Sequence, residues 1–220
     1  MAGDSTLLKD IINLMHGSSS SDYDFLSILS NQISIDESPY ADTELECNYY
    51  DEKQFSSKFK STKQHSMLSL NIQSLPAKFT EFSAFISELS SNDFSFDFIA
   101  LQELWTLHDH TIYTLPDYHT IVHKSRPARQ GGGVGFFIKK CWNFHVVDEL
   151  SLSIDGIFES IVISVNLNSK KKILLASIYR PNTPLKNVTV TEQLDLFNNE
   201  LISLLDSLNK KNCPHILQVI

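Results

Sequence analysis

Three polar side chains stand where apolar segments of the sequence end. Asn71 follows the apolar residues from 67 onward, Glu103 closes the segment 96–102, and Tyr179 closes the segment 173–178. An amide oxygen and a carboxylate can hold Mg²⁺, which prefers oxygen ligands, and a tyrosine hydroxyl can orient a phosphate. Spacing alone leaves a second interpretation open, in which these polar residues only terminate strands. The pattern therefore indicates a candidate metal site that contacts phosphate, but it does not establish one.

Short apolar segments alternate with helical patterns from about residue 66 onward. Residues 67–72 and 96–104 predict strands, and the Phe-rich segment between them repeats its apolar residues at helical spacing, with Pro76 near the first turn. This alternation is typical of an α/β fold. In such folds ligands gather at strand ends, which is where Asn71 and Glu103 stand.

The second half of the chain predicts a hairpin, a helix and a last strand. Residues 161–167 and 173–179 are joined by a short turn and should pair as antiparallel strands. Thr189 and Glu192 have capping-box spacing ahead of an apolar helical repeat that runs to Leu208. The apolar residues at 214–220 predict a buried strand, and a chain that stops inside such a strand is expected to be truncated.

Composition bounds the class of protein. Residues 1–65 are polar and without sustained periodicity, so we predict a flexible leader there and one folded domain over residues 66–220. The formal net charge of −8 argues against a protein that holds nucleic acid by charge alone. The three cysteines have no zinc spacing, and no segment approaches the roughly 18 apolar residues of a membrane span. We expect an intracellular protein without membrane association or a small-molecule cofactor.

Four further features admit two interpretations each. The glycines at 131–135 could cradle a phosphate, but without a following Lys-Ser or Lys-Thr a turn that enters a strand is favoured. Arg126 could follow a DNA backbone or be a solvated loop charge. Glu159 could support the site or lie on the surface. Trp105 could stack on bases, although packing is the preferred interpretation.

The residue types and order of these motifs favour one family. Asn71-Ile72-Gln73-Ser74-Leu75 and the segment 96–103 ending in Leu101-Gln102-Glu103 resemble the exonuclease/endonuclease/phosphatase superfamily. The segment from Leu115-Pro116-Asp117-Tyr118 through the glycines, then Phe158-Glu159-Ser160 and Ile178-Tyr179-Arg180-Pro181, resembles the endonuclease domain of non-long-terminal-repeat retrotransposons in particular. The resemblance covers residues 67–220, with the motifs in order.

The resemblance implies an α/β sandwich with two mixed sheets flanked by helices, of which this chain holds the first sheet and part of the second. It implies DNA phosphodiester hydrolysis with Mg²⁺, or Mn²⁺ in its place. Asn71 and Glu103 would be metal-site residues, with Glu103 the direct carboxylate ligand, and Tyr179 would contact the phosphate.

The same family has two later motifs, Gly-Asp-Phe-Asn and Ser-Asp-His, and neither occurs in this sequence. We therefore expect a truncated copy that binds the metal weakly and has little or no nuclease activity alone. The alternative is a non-catalytic remnant that binds DNA or a protein partner, whose identity the sequence does not reveal.

Overall fold

A computed structural model describes residues 50–59, 65–126, 131–167 and 171–220 of the chain. The chain divides into two compact units, Met1–Phe55 and Ser56–Ile220, and the second contains both sheets. The three helices of the described residues are α1 (Glu52–Phe59), α2 (Leu75–Ser91) and α3 (Val190–Lys210).

The first sheet has four strands in the order β1-β2-β4-β3. Strands β1 and β2 are parallel, whereas β4 is antiparallel to both β2 and β3, so the sheet is mixed. Its strands are β1 (Met67–Asn71), β2 (Phe98–Gln102), β3 (Val122–Lys124) and β4 (Val134–Ile138).

The second sheet has the order β5-β7-β8-β9, with β6 paired to β7. Its centre is the antiparallel hairpin of β7 and β8, and β9 pairs with β8 in parallel, so this sheet is mixed as well. Its strands are β5 (Asn143–Val146), β6 (Ser153–Ile154), β7 (Phe158–Asn166), β8 (Lys172–Tyr179) and β9 (His215–Val219).

The two sheets face each other across an apolar layer. Alternate residues of the first sheet, including Phe98, Ala100 and Phe136, form one buried cluster with Ile161 and Ile163 of the second. Side chains of successive strand residues point to opposite faces, so the same strands bury a second set of residues on their outer faces. Each sheet is consequently covered on both sides, which explains why β4 is buried along its whole length.

Helices cover the two outer faces. Phe82 of α2 lies 6.3 Å from Phe137 between ring centroids, and Phe197 of α3 lies 5.5 Å from Phe158. Helix α3 begins at the Thr189 capping box, in which Thr189 and Glu192 satisfy each other's backbone N–H groups. The predicted α/β sandwich with two mixed sheets flanked by helices is confirmed.

Strand β9 and helix α1 differ from what the sequence predicts. Strand β9 forms as predicted but is not a buried strand, because it lies at an edge of its sheet and leaves Ile216, Val219 and Ile220 each at least 40% exposed. Helix α1 lies inside the range 1–65 predicted as a flexible leader; residues 1–49 lie outside the described residues, so the prediction for them stays a prediction. No helix among the described residues is long and apolar enough to cross a bilayer.

Candidate active site at the meeting point of the two sheets

Glu103 follows the last residue of β2 and is held by three hydrogen bonds. Its Oε1 accepts from the hydroxyl of Tyr179, and its Oε2 accepts from Trp105 Nε1 and from the backbone N of Gly132, each at 2.9 Å. Glu103 itself has a backbone φ of 54°, in the left-handed region that residues with a side chain rarely adopt. The carboxylate therefore has a fixed orientation, set by donors from three separate segments.

Tyr179 is the last residue of β8 and reaches Glu103 across the gap between the sheets. Its side chain is buried, and burial raises its pKa, as does the hydrogen bond to Glu103. The phenol consequently keeps its proton near neutral pH and acts as a hydrogen-bond donor. The structure thus brings together two of the three residues predicted from the sequence.

Asn71 is the last residue of β1 and pairs in parallel with Gln102, one residue before Glu103. It therefore ends its strand at the same edge of the sheet as Glu103. Its Oδ1 accepts from the backbone N of Gln73 at 3.2 Å, which leaves one lone pair of that oxygen for another partner. Asn71 is a close neighbour of Glu103 in the first sheet, and the structure gives its side chain a hydrogen bond with Gln73 rather than with Glu103 or Tyr179.

A second carboxylate, Glu159, lies on the same side of the second sheet as Tyr179. The two residues are directly opposite each other in the β7–β8 register. Glu159 is 1% exposed and accepts hydrogen bonds from Arg126 Nε and from the backbone N of Gly133. Of the two interpretations of Glu159 left open by the sequence, the surface residue is wrong.

Arg126 is the counterion of Glu159, and its side chain is only 5% exposed. A solvated loop charge is therefore the wrong interpretation of Arg126. Burial raises the pKa of the Glu159 carboxyl, against the opposing effects of Arg126 and of the hydrogen bond from Gly133. Two carboxylates thus lie near each other in this region. Glu103 accepts hydrogen bonds from neutral donors only, whereas Glu159 is paired with a buried guanidinium.

The glycine segment forms a turn that enters β4, as the sequence favoured. Gly131, Gly132 and Gly133 all have positive φ angles, of 93°, 68° and 88°. Only glycine adopts such a run of left-handed conformations at low cost. Successive N–H groups of this turn donate to two carboxylates, Gly132 to Glu103 and Gly133 to Glu159.

Backbone strain is concentrated around the same carboxylate. Eight residues other than glycine have positive φ among the described part of the chain, and four of them are Gln73, Ser74, Glu103 and Trp105. The two short segments are joined, because Ser74 N donates to the backbone oxygen of Glu103 at 2.7 Å. Sparsely populated backbone conformations cost on the order of 1–3 kcal/mol each and gather at functional sites.

Sequence reasoning missed a buried polar network beside Glu103. Gln102 is fully buried and faces the gap between the sheets, where its Nε2 donates to Ser177 Oγ at 2.7 Å and to Gln218 Oε1. The available signal was the position of Gln102, two residues after inward-facing Ala100 in a strand that is otherwise apolar. A polar residue there needs a partner from the other sheet.

Oxygen donors of the kind that Mg²⁺ or Mn²⁺ prefers are present at this site. Glu103 Oε1 accepts one hydrogen bond and Asn71 Oδ1 accepts one, so each keeps a lone pair. No group of three or more His, Cys, Asp or Glu side chains among the described residues could hold a metal ion by itself. Mg²⁺ is commonly held by one or two carboxylates together with water and substrate phosphates, and the donors around Glu103 fit that kind of site.

Several solved structures are similar to the chain in architecture. A humanized D. rerio TDP2 aligns with a TM-score of 0.47 and 15% identity over 70% of this chain and 65% of that one. The catalytic domain of human Nocturnin gives 0.47 and 17% over 70% and 62%. An endonuclease/exonuclease/phosphatase family protein from Leptotrichia buccalis gives 0.38 and 14% over 64% and 62%.

The chain therefore spans less than two thirds of the length of each of these structures. No protein-family model matches the sequence, and no curated protein matches it either.

Proposed function

We propose that this chain carries the metal-binding and phosphate-contacting part of a divalent-metal phosphodiesterase centre. One observation carries the proposal: the Tyr179 hydroxyl, from the second sheet, donates to the carboxylate of Glu103, from the first. Two buried strands end at that point, and the backbone around Glu103 is strained. Sparsely populated backbone conformations gather at active sites and ligand clamps, which supports a chemical role for this strand terminus.

Each residue has a distinct part in the proposed centre. Glu103 would hold the cation through Oε1, with Asn71 as a neutral oxygen donor beside it. A divalent ion bound there would neutralise charge that develops on the phosphoryl oxygens. Tyr179 would remain protonated, because burial raises its pKa, and its single O–H would turn from Glu103 to donate to a phosphate oxygen of the substrate.

The finer proposal is a DNA endonuclease of the type found in non-long-terminal-repeat retrotransposons. It is supported by the order of the motifs from Asn71 to Tyr179 and by Trp105, which is 43% exposed beside Glu103 and could stack on a base. Because the sequence contains neither Gly-Asp-Phe-Asn nor Ser-Asp-His, we expect weak metal binding and little or no strand cleavage by this polypeptide alone.

The second candidate is a module that binds DNA or a protein without hydrolysis. The observation that favours it is the single carboxylate available to a cation, since no larger group of metal-ligating side chains occurs among the described residues. Mg²⁺ is shared among several oxygens in most sites, so one carboxylate holds it weakly.

Metal titration tests the proposed centre directly. Calorimetric titration of the full chain with MnCl₂ should show binding that Glu103→Gln weakens at least about tenfold, since removing a ligand costs no less than removing an outer-shell partner. Glu149→Gln is the matched control, because Glu149 is an exposed glutamate paired with Lys211 at 2.8 Å. Equal Mn²⁺ affinity of the wild-type and Glu103→Gln proteins would overturn the proposal.

Plasmid nicking separates the two candidates. The full chain is incubated with supercoiled plasmid and Mg²⁺ or Mn²⁺, and Glu103→Ala is assayed beside it. Residual nicking that Glu103→Ala removes supports the phosphodiesterase. DNA retention in a gel-shift assay that is unaffected by Glu103→Ala, without any nicking, supports the non-catalytic module.

A further inference from the structure

Glu159 is a buried carboxylate that the proposed chemistry does not use. It faces the gap between the sheets beside Tyr179, but its hydrogen bonds go to Arg126 and to the backbone N of Gly133. Burying an ionised carboxylate is costly unless it is paired and hydrogen-bonded. The bonds to Arg126 and Gly133 offset that cost, and the bond to Gly133 leads to the turn that borders Glu103.

The glycine turn connects Glu159 to Glu103. Gly132 donates its N–H to Glu103 Oε2 at 2.9 Å, and its carbonyl oxygen accepts from Trp105 N at 2.8 Å. The carbonyl of Gly133 accepts from Leu104 N at 3.2 Å. The turn is thus bonded to the Glu103–Trp105 segment at three points, and the N–H of Gly133 attaches it to Glu159 on the opposite sheet.

The same contacts leave no room for a side chain at Gly132. A Cβ at Gly132 would lie 2.4 Å from Arg126 Nε and 2.5 Å from Glu159 Oε1, closer than real Cβ contacts occur. Gly131 is different, because the nearest heavy atom to its Cβ position is Glu103 Oε2 at 3.9 Å. The Arg126–Glu159 pair therefore packs directly on the peptide that holds the Glu103 carboxylate.

We infer that Glu159, with Arg126 as its counterion, is a positioning residue: it anchors the glycine turn so that the Gly132 N–H fixes the orientation of the Glu103 carboxylate. The inference concerns the geometry of Glu103, and it rests on the proposed function only where that geometry is said to serve a metal. Glu159 and Tyr179 are then two residues of the second sheet that act on Glu103, at the end of β2.

Trp105 provides a reporter that does not depend on catalysis. Its indole N–H donates to Glu103 Oε2 at 2.9 Å, whereas the indole N–H of Trp142, the other tryptophan, donates to Asp97 Oδ1 at 3.0 Å. In a ¹H–¹⁵N spectrum of the full chain the two indole signals therefore report on the site and on an internal control. Mn²⁺ affinity, measured by titration with MnCl₂, is the second readout.

Two double variants separate positioning from simple loss of a charge. Arg126→Leu with Glu159→Leu removes the ion pair and the acceptor for Gly133 N, and replacing a buried ion pair by apolar residues is often tolerated. Arg126→Leu with Glu159→Gln removes the ion pair as well but keeps a side-chain oxygen that can accept from Gly133. The two variants differ only at residue 159, where glutamine offers Gly133 N an acceptor and leucine does not.

The double leucine variant should shift the Trp105 indole signal, leave that of Trp142 in place and weaken Mn²⁺ binding at least about tenfold. The glutamine variant should return the Trp105 signal towards its wild-type position. An unchanged Trp105 signal in the folded double leucine variant, or no difference between the two variants, would overturn the inference. If the signals behave as expected but the wild-type chain binds no Mn²⁺, the positioning role stands and the proposed metal site falls.

Amide exchange in the wild-type protein keeps the test decisive if the double leucine variant does not fold. The N–H groups of Gly132 and Gly133, bonded to the two carboxylates, should exchange at least about tenfold more slowly than that of Gly131. Equal exchange at the three glycines would count against the anchored turn.

Discussion

The layer between the two sheets has an apolar part and a polar end, and they are built by different rules. Around Phe136 and Ile163 the side chains are wholly buried hydrocarbon on regular strands. At the end occupied by Glu103, Glu159 and Gln102, each of these three side chains has specific hydrogen-bond partners and the backbone enters positive φ values.

The apolar part and the polar end should therefore tolerate different kinds of substitution. Hydrocarbon packing is non-directional and proportional to the area removed from water, so it depends on volume. The polar end depends on particular donors and acceptors, because one missing partner leaves a buried group unpaired. Substitutions in the two parts should therefore separate stability from the geometry of the site.

The largest effect is expected from a cavity in the apolar part. Phe136→Ala should lower the free energy of unfolding by about 3–5 kcal/mol, since Phe136 is fully buried in the inter-sheet cluster. Urea denaturation followed by circular dichroism measures the change. Phe144→Ala, at a half-buried position of β5 that packs against the same cluster, is the matched control and should cost clearly less; equal losses would contradict the expected dependence of the cost on burial.

Breaking the buried ion pair should come next and should depend on pH. Arg126→Met leaves Glu159 buried without its counterion and should cost about 3 kcal/mol at pH 8. Burial already raises the pKa of Glu159 above its unfolded value. The protonated Glu159 carboxyl therefore contributes to the free energy of unfolding fully below its unfolded pKa. That contribution is lost as the pH rises through its folded pKa.

The cost of Arg126→Met should accordingly shrink between pH 8 and pH 5, as the isolated carboxyl takes up a proton. Urea denaturation at both pH values measures this, with Arg126→Met combined with Glu159→Gln as the control that lacks the titrating group. A cost of Arg126→Met that is the same at pH 5 and pH 8 would contradict the expected protonation of Glu159.

Substitution within the glycine turn should have an intermediate effect. Gly132→Ala combines a φ of 68° with contact against Arg126 and Glu159, and should cost on the order of 1–3 kcal/mol while shifting the Trp105 indole signal. Gly156→Ala is a matched control with a φ of 71° and a Cβ 2.4 Å from Leu185 Cδ2, a side chain outside the site. A Trp105 shift of the same size in Gly156→Ala would mean that the signal reports general strain.

The smallest effect is expected far from the polar end, at the start of α3. Thr189→Ala removes the side chain that accepts from Glu192 N and should lower the free energy of unfolding by about 1 kcal/mol. The Trp105 signal and Mn²⁺ affinity should stay unchanged. Thermal unfolding monitored by circular dichroism measures the loss, and altered Mn²⁺ binding would show that α3 is coupled to the site.

Much of the fold was predictable because its signals are local. The hairpin of β7 and β8, the capping box of α3 and the apolar repeat of α2 each follow from periodicity within a short segment. The exposure of β9 was not predictable, because an apolar strand has the same sequence pattern at an edge as in the middle of a sheet. Whether a strand is covered depends on neighbours that are distant in sequence.

The candidate site divides in the same way. Glu103 and Tyr179 could be nominated because each ends a strand, and the structure places them in contact. The burial of Glu159, its pairing with Arg126 and the network of Gln102 depend on the register between strands and between sheets. A single sequence carries no direct signal for that register.

The bond between Tyr179 and Glu103 joins residues that are 76 positions apart in the chain. Contacts of such long sequence separation form only after much loop-closure entropy has been lost, and proteins dominated by them fold slowly. Neither sheet contains the centre on its own, since one supplies the acid and the other the phenol. The Glu103–Tyr179 pair, and any ligand binding that depends on it, therefore exists only when the two sheets are packed against each other.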